Sequence, residues 1–421
     1  MKKKALLCFT KDLRIQDNAM IHWASIHDYE VVALAFEPLN RSEFQKKLYL
    51  KSAIEIQEKF KNKGISFLIL KGRPEVEITR WVECNRIDKV LIQDSYNTRD
   101  QKVVSKIKAN LKQNQLKTFY DRTLIDQNDL PFSISELPNV FTDFRKAVES
   151  SSVIRKPLVS EFEKLLGFSV LIPENTIFCD LSSAFQKTSF AFNIDSTETA
   201  SLNRIEDYFF TTGSLSNYKT TRNGLLEKND SSKLSVGLAH GSISARHIYA
   251  EVIKFEEGFG ANESTKWFKF ELLWRDYFKF LSLKIGDQLF NMKGLKQNIK
   301  SWSTDPDSFQ RWCNGNTGSD FVDANMIELK YTGWMSNRGR QNTASYLSKN
   351  LNINWTLGAQ YFENNLIDDD AESNWGNWLY ISGVGTDPRD RLFNVQRQAD
   401  IYDLQLSYRK KWLALENRTP S

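Results

Sequence analysis

Cysteine and histidine are both scarce, four of each among 421 residues. Cys8, Cys84, Cys179 and Cys313 lie far apart without a CxxC pair, and His22, His27, His240 and His247 do not accompany them. That spacing argues against a disulfide framework and against a zinc site, so no metal is expected. Long apolar runs are missing too. The opening MKKKALLCFT offers only ALLCF before the charged TKDLR, too short for a secretory signal or a membrane span, which points to a reducing, cytoplasmic setting with no membrane partner. No GxGxxG follows the first apolar run, which removes the usual dinucleotide fingerprint and with it the case for a nicotinamide dehydrogenase. A large charge imbalance is also lacking: 57 basic and 52 acidic residues leave a net charge of +5. Such a balance permits a nucleic-acid partner without requiring one, because only charges clustered on one face create an attracting field.

The chain does have the length for two or more domains with a sizeable core. Its first part alternates short apolar runs, KALLCFT, EVVALAFE, GISFLILK, DKVLIQDS and LKTFYD, with longer charged stretches such as RSEFQKKLYLKSAIEIQEKFKNKG. Buried strands separated by helices predict an α/β domain over residues 1–130, built on a doubly wound, five-stranded parallel sheet. Prolines and serine/threonine clusters, such as FNIDSTETASLN, then mark a connector over 131–200. From 201 to 421 strand-like alternation nearly disappears, and an all-helical second domain is expected. Nine of the eleven tryptophans fall in this last part: Trp267, Trp274, Trp302, Trp312, Trp334, Trp355, Trp375, Trp378 and Trp412. Aromatic bulk is ordinary in a helical core; the same density suits a flat cofactor or electron hopping through indoles.

Four stretches of the second part have residue types that chemistry can use. In NDSSKLSVGLAHGSIS, Ser231, Ser232 and Ser235 surround a helix start, where hydroxyls and free N–H groups either cap the helix or hold an anion such as a pyrophosphate. WFKFELLWRDYFKFL sets Glu271 three residues before Trp274 and four before Arg275, on neighbouring positions of one face. Glu271 and Arg275 can form a surface ion pair. Their apolar neighbours, however, favour partial burial, and a partly buried carboxylate needs partners or a task. YTGWMSNRGRQNTASYL puts Asn337, Arg340, Gln341 and Ala344 in one stripe, either a solvated face or a pocket wall. LIDDDAESNWGNWLY supplies Asp368, Asp370, Asn374 and Trp378; aspartates at a helix start favour its dipole, and they can also form a polar lid over a heteroaromatic ring.

Together with LPNVFTDFRKAVE and the GVGTDPR that follows the last stretch, these motifs, in this order and over nearly the whole chain, strongly resemble the photolyase/cryptochrome family, its DASH-type cryptochromes in particular. The resemblance implies a non-covalent FAD in a U shape within the helical domain and light-driven cleavage of cyclobutane pyrimidine dimers in DNA. By motif match, Tyr218, Ser231, Ser232, Lys233, Leu234 and Ser235 would hold the cofactor's phosphates and nearby parts, with Arg275 reaching the same region. Arg340 and Asp368 match the pair beside the flavin ring, Asp370 a carboxylate bonding cofactor polar atoms, and Asn374 the residue facing flavin N5. Trp378, Trp355 and Trp302 match an electron relay running outward, although each also suits a core. Glu271 and Asn337 match residues that hydrogen-bond the flipped dimer, and Trp274 one that packs against it. Gln341 and Tyr380 follow the DASH pattern associated with single-stranded DNA, and Arg222, Arg338 and Arg391 match phosphate contacts. A methenyltetrahydrofolate antenna between the domains and a monomeric state complete what the resemblance implies.

The sequence also departs from the family pattern. Leu379 stands where glutamine is common, and DPRDRLFNV is one residue shorter than the usual DASH loop, which bears on Arg391. The antenna's acidic contact would fall near SYNTRDQKV. The chain closes on KKWLALENRTPS without a long tail, which argues against a tail-based signalling switch. A blue-light photoreceptor with little repair activity is the rival reading, and Glu271 and Asn337 favour substrate handling over it.

Overall fold

The structure is a computed structural model that describes residues 2–185, 191–296, 300–386 and 392–416. Strands β1 (Lys4–Phe9), β2 (Glu30–Phe36), β3 (Phe67–Leu70), β4 (Lys89–Gln93) and β5 (Leu116–Phe119) form a parallel sheet in the order β3-β2-β1-β4-β5. Leu6, Cys8, Val32, Leu34, Val90 and Ile92 face one side, against Ile78 and Trp81 of helix Pro74–Asn85. Ala5, Leu7, Phe9, Val31, Ala33 and Leu91 face the other, against Ala53, Ile56 and Phe60 of helix Glu43–Asn62. Burial on both faces explains why these strands read as continuous apolar runs and not as alternating ones.

The sheet differs from the sequence expectation at one edge. A short β6 (Leu166–Gly167) pairs with β2 through Glu30↔Leu166 and Val31↔Gly167. Farther along, Lys71 N donates to Ile177 O (2.9 Å) and Cys179 N to Ile69 O (3.0 Å), so this stretch covers the open side of β3. Two paired residues leave no periodic trace in a sequence, and five strands are all that periodicity could predict.

Beyond Thr197 every regular element among the described residues is a helix, apart from one isolated bridge, Ser303↔Ile353. Helix Glu263–Ile285 is central. Its Phe268, Leu272, Leu273, Tyr277 and Phe280 share a core with Phe141, Phe144 and Val148 of helix Phe141–Ser151. Its Asp276 is fully buried and accepts the N–H groups of Leu124 (2.9 Å) and Ile125 (2.8 Å), which ties the chain just after β5 to the helical layer.

In helix Trp355–Asn365, Gly358 lies directly under the Trp378 ring: a Cβ there would meet Trp378 Cη2 at 2.3 Å and Leu347 Cδ2 at 2.5 Å. Gly358→Ala is therefore expected to destabilise the fold by about 1–3 kcal/mol through overpacking, less the ~1 kcal/mol that alanine adds to a helix. Thermal denaturation checks this, and an unchanged midpoint would mean that the indole shifts at no cost.

Candidate functional site

The deepest polar groups converge on a cavity within the helical layer. Its walls come from Tyr218, the loop Ser231–Ser235, helix Glu263–Ile285 (Phe268, Glu271, Leu272, Trp274, Arg275, Phe278), the stretch Trp334–Arg340, and Asp368, Asp370, Ser373 and Asn377. The Ser231–Ser235 loop is held from behind: Arg204 donates to Ser232 O (2.8 Å) and Ser231 O (3.1 Å). Lys233 adopts a left-handed backbone (φ 61°), and its ammonium lies over the rings of Phe192 (4.4 Å) and Trp334 (5.2 Å). Burial pushes that ammonium down to about 8. With the side chain so engaged, the main chain is the part of Lys233 best suited to meet a phosphate.

Arg340 donates to both oxygens of Asp368 (2.8 and 2.9 Å) and to Met335 O (2.9 Å), so the guanidinium is fixed at the cavity wall. Arg275 does not pair with Glu271. It reaches Asp370 (3.4 Å) and the Arg122 carbonyl instead, leaving its buried Nε without a partner. Asp370 also receives Lys279 (2.7 Å) and Arg122 (3.1 Å). Burial alone would raise this carboxyl; Lys279, Arg275 and Arg122 hold it well below the usual range. Burial and Arg122 in turn push Lys279 down to about 8. Hydroxyls, an unpaired guanidinium N–H and a fixed Arg–Asp pair beside the apolar Phe268, Leu272, Trp334 and Met335 suit a molecule with an anionic end and a flat ring, and FAD has both.

A second, wider groove opens from the same walls. It gathers Arg222, Glu271, Trp274, Asn337, Arg338, Gln341 and Tyr380, that is, every substrate residue expected from the sequence except Arg391, which lies outside the described residues. Glu271 is bonded by Arg222 and by Trp267 Nε1 (3.1 Å). Burial raises its carboxyl above the ordinary glutamate value, opposed by Arg222. Trp274 stacks on Phe141 with ring centroids 3.7 Å apart and meets Tyr380 edge-on at 6.2 Å. Arg338 is fanned toward Gln341 (3.0 Å), Asn223 (3.1 Å) and Gln398 (3.3 Å).

Asn374 and Trp378 line a smaller pocket that shares Asn337, Arg340, Asp368 and Asp370 with the main cavity. Asn374 donates to Ala359 O (2.9 Å). Trp378 is 2 % exposed, and it covers Gly358 one turn beyond Trp355. Ser303 N donates to Asn352 O (2.8 Å) and accepts Asn354 N through its carbonyl (3.0 Å), which lays half-buried Trp302 beside the segment leading into Trp355. Asn377 borders the cavity, the groove and the small pocket. Sequence reasoning passed over it, although its position three residues after Asn374 on the same helix face was a usable signal.

A further cavity lies between the domains, at the carboxyl ends of β1, β2 and β4, with Phe9, Phe36, Gln93, Asp100, His240 and Asp369 among its walls. Gln93 is 4 % exposed and neither amide atom has a partner. Asp100 belongs to the SYNTRDQKV stretch.

Behind the main cavity, Glu328 (2 % exposed) accepts Tyr408 Oη at 2.6 Å. Burial pushes it from 4.5 up to about 7, against the Tyr408 hydrogen bond and the charge of Lys233. A carboxyl with a folded pKa above its unfolded one contributes most below the unfolded value, and that contribution fades as pH rises through the folded one. Relative to Glu328→Gln, the protein is expected to lose up to about 1.4 kcal/mol of stability per pH unit between these limits. Denaturant titrations at several pH values check this, and parallel curves for the two proteins would contradict it.

Among the described residues no group of His, Cys, Asp and Glu is arranged to hold a metal, and no helix is long and apolar enough to cross a membrane. Residues 5–161 match the DNA photolyase family and residues 267–421 match the FAD binding domain of DNA photolyase. The chain is 38 % identical to the cryptochrome DASH of Danio rerio, across 97 % of this chain and 83 % of that protein. It is 39 % identical to the cryptochrome DASH of Gloeobacter violaceus, across 98 % and 85 %. Among solved structures, a cryptochrome of Synechocystis sp. superposes with a TM-score of 0.92 at 35 % identity, covering 100 % of this chain and 90 % of the other. With a cavity suited to FAD and similarity along almost its entire length, the chain belongs to the DASH cryptochromes, light-dependent flavoproteins of the photolyase/cryptochrome family.

Proposed function

We propose that the protein is a deoxyribodipyrimidine photolyase of the DASH type, cleaving cyclobutane pyrimidine dimers with a preference for single-stranded DNA. The observation that carries this reading is the wall common to the two hollows: Arg222, Glu271, Trp274, Phe278, Asn337 and Asn377 border both the cofactor cavity and the groove. When bound, reduced FAD would supply the light-excitable one-electron donor that this reaction needs. The protein's part is to hold and orient. Arg340 and Asp368 would hold FAD beside its ring, and Tyr218, Ser231–Ser235, Arg275, Asp370 and Asn374 would hold the rest of it. Glu271 and Asn337 meet the dimer's polar edge, where negative charge grows; burial raises the Glu271 carboxyl against the opposing pull of Arg222, a direction that favours its hydrogen-bond-donating form there. Trp274, braced by Phe141, gives the flipped bases a flat apolar surface.

Flipping costs least in a single strand. Arg222, Arg338 and Arg391 follow the phosphates and make binding salt-dependent. Trp378, Trp355 and Trp302 would pass electrons inward to the bound cofactor. The inter-domain cavity, with its unpartnered Gln93 amide, suits an antenna, a methenyltetrahydrofolate by family pattern. The protein acts in the cytoplasm as a monomer, with the α/β domain (1–130), connector (131–200) and helical catalytic domain (201–421) as its working parts.

Dimer-bearing oligonucleotides, single-stranded and duplex, titrated against the reduced protein at two salt concentrations test the preference. The single strand is expected to bind more tightly, with affinity falling as salt rises. Equal affinity for undamaged strands would contradict dimer recognition.

A further inference from the structure

We propose that Trp375 is a second terminus of the tryptophan relay, where an electron vacancy is trapped by transfer of the Nε1 proton to Glu363. This rests on the relay reading above and adds a branch to it. Trp375 leaves the outward line of Trp378, Trp355 and Trp302: it sits in helix Ala371–Ile381, 2 % exposed, with its ring 5.6 Å from that of fully buried Trp355 at an interplanar angle of 75°.

What distinguishes Trp375 is its hydrogen bond. Trp355 Nε1 donates to Met292 O (3.0 Å) and Trp312 Nε1 to Thr343 O (3.1 Å), both peptide carbonyls that cannot keep a proton. Trp375 Nε1 donates to the Glu363 carboxylate at 2.6 Å. An oxidised indole is far more acidic than indole itself, so a carboxylate at that distance is a base in waiting.

The surrounding charges couple the two transfers. The Arg99 guanidinium lies 4.7 Å over the Trp375 ring and pairs with Glu363 at 3.3 Å, and Arg41 stands 3.6 Å from the same carboxylate. A cation over the ring disfavours a positively charged indole. The vacancy can therefore settle on Trp375 only as the proton leaves. The light-excited oxidised flavin is the relay's oxidant and Trp355 the oxidised intermediate on it. One electron passes from Trp375 to oxidised Trp355, the Nε1–H bond breaks, and the proton joins Glu363 Oε2. The products are neutral Trp355, a neutral indolyl radical at Trp375 and a protonated Glu363, with net charge unchanged. Burial shields this radical from reductants in solution, whereas Trp302 is half-buried.

The test is time-resolved absorption and electron paramagnetic resonance of the FAD-loaded Trp302→Phe variant in H2O and D2O. A neutral tryptophan radical is expected, forming more slowly in D2O and lost in Trp302→Phe/Trp375→Phe. Glu363→Gln on the Trp302→Phe background is expected to remove both the neutral radical and the isotope effect. Because Glu363 also pairs with Arg41 and Arg99, Trp375→Phe, which keeps those ion pairs, guards against a merely structural effect. The proposal is overturned by a neutral radical that persists in the double variant, by formation without an isotope effect, or by no radical at all in Trp302→Phe. Trp378→Phe separates the underlying reading: radicals undiminished without Trp378 would sink the relay itself, whatever Trp375 does.

Discussion

Glu271→Ala is expected to lower the yield of light-driven dimer repair by about 10²–10³, the usual loss when one preorganised partner of a developing anion is removed. The carboxyl group is held by Arg222 and by the Trp267 indole N–H (3.1 Å), so its position is set before any substrate arrives. Preorganisation of this kind makes a hydrogen bond worth more in the reaction than in water. FAD should remain bound, because Arg340, Asp368, Arg275 and the Ser231–Ser235 loop are untouched. Repair yield and flavin stoichiometry, measured on the same preparation, check both halves. Glu271→Gln keeps the shape and one donor, and it is expected to fall between the two. Loss of flavin from Glu271→Ala would instead make this residue a support of the cofactor cavity.

Trp378→Phe is expected to abolish most photoreduction of the bound flavin by external reductants. Trp378 lines the small pocket with Asn374, Arg340 and Asp370, where the proposed relay would meet the cofactor. Its ring covers Gly358 and approaches Phe362 (centroids 5.2 Å) and Trp312 (6.3 Å). Phenylalanine fills much of the same space but is far harder to oxidise than indole, so the fold should survive while the first electron hop does not. Dimer repair by chemically reduced protein should persist, because that electron comes from the cofactor already reduced. The two readouts separate the roles of Trp378: photoreduction at the original rate would remove it from the relay, and joint loss of repair and flavin would make it structural.

Much of this architecture was legible because it repeats along the chain. The apolar runs that became β1 to β5 and the helical spacing of Glu271, Trp274 and Arg275 are local signals. What escaped was pairing across distance. Glu271 takes its cation from Arg222 and not from Arg275 one turn away; no periodicity announces a partner on another element. The same holds for Asp370 gathering Arg122, Arg275 and Lys279, and for Phe141 of helix Phe141–Ser151 stacking on Trp274. Trp375 read only as one more core aromatic. The Glu363 that gives it a chemical character lies twelve residues away on a different helix.

The central claim is that this flavoprotein splits pyrimidine dimers, and one measurement meets it directly. A single-stranded oligonucleotide carrying one thymine dimer is incubated with the purified, chemically reduced protein, in light and in darkness. Restoration of intact thymines in light and none in darkness is the predicted result. No repair from protein that holds FAD and photoreduces it normally would contradict the claim and leave a blue-light receptor in place of the enzyme.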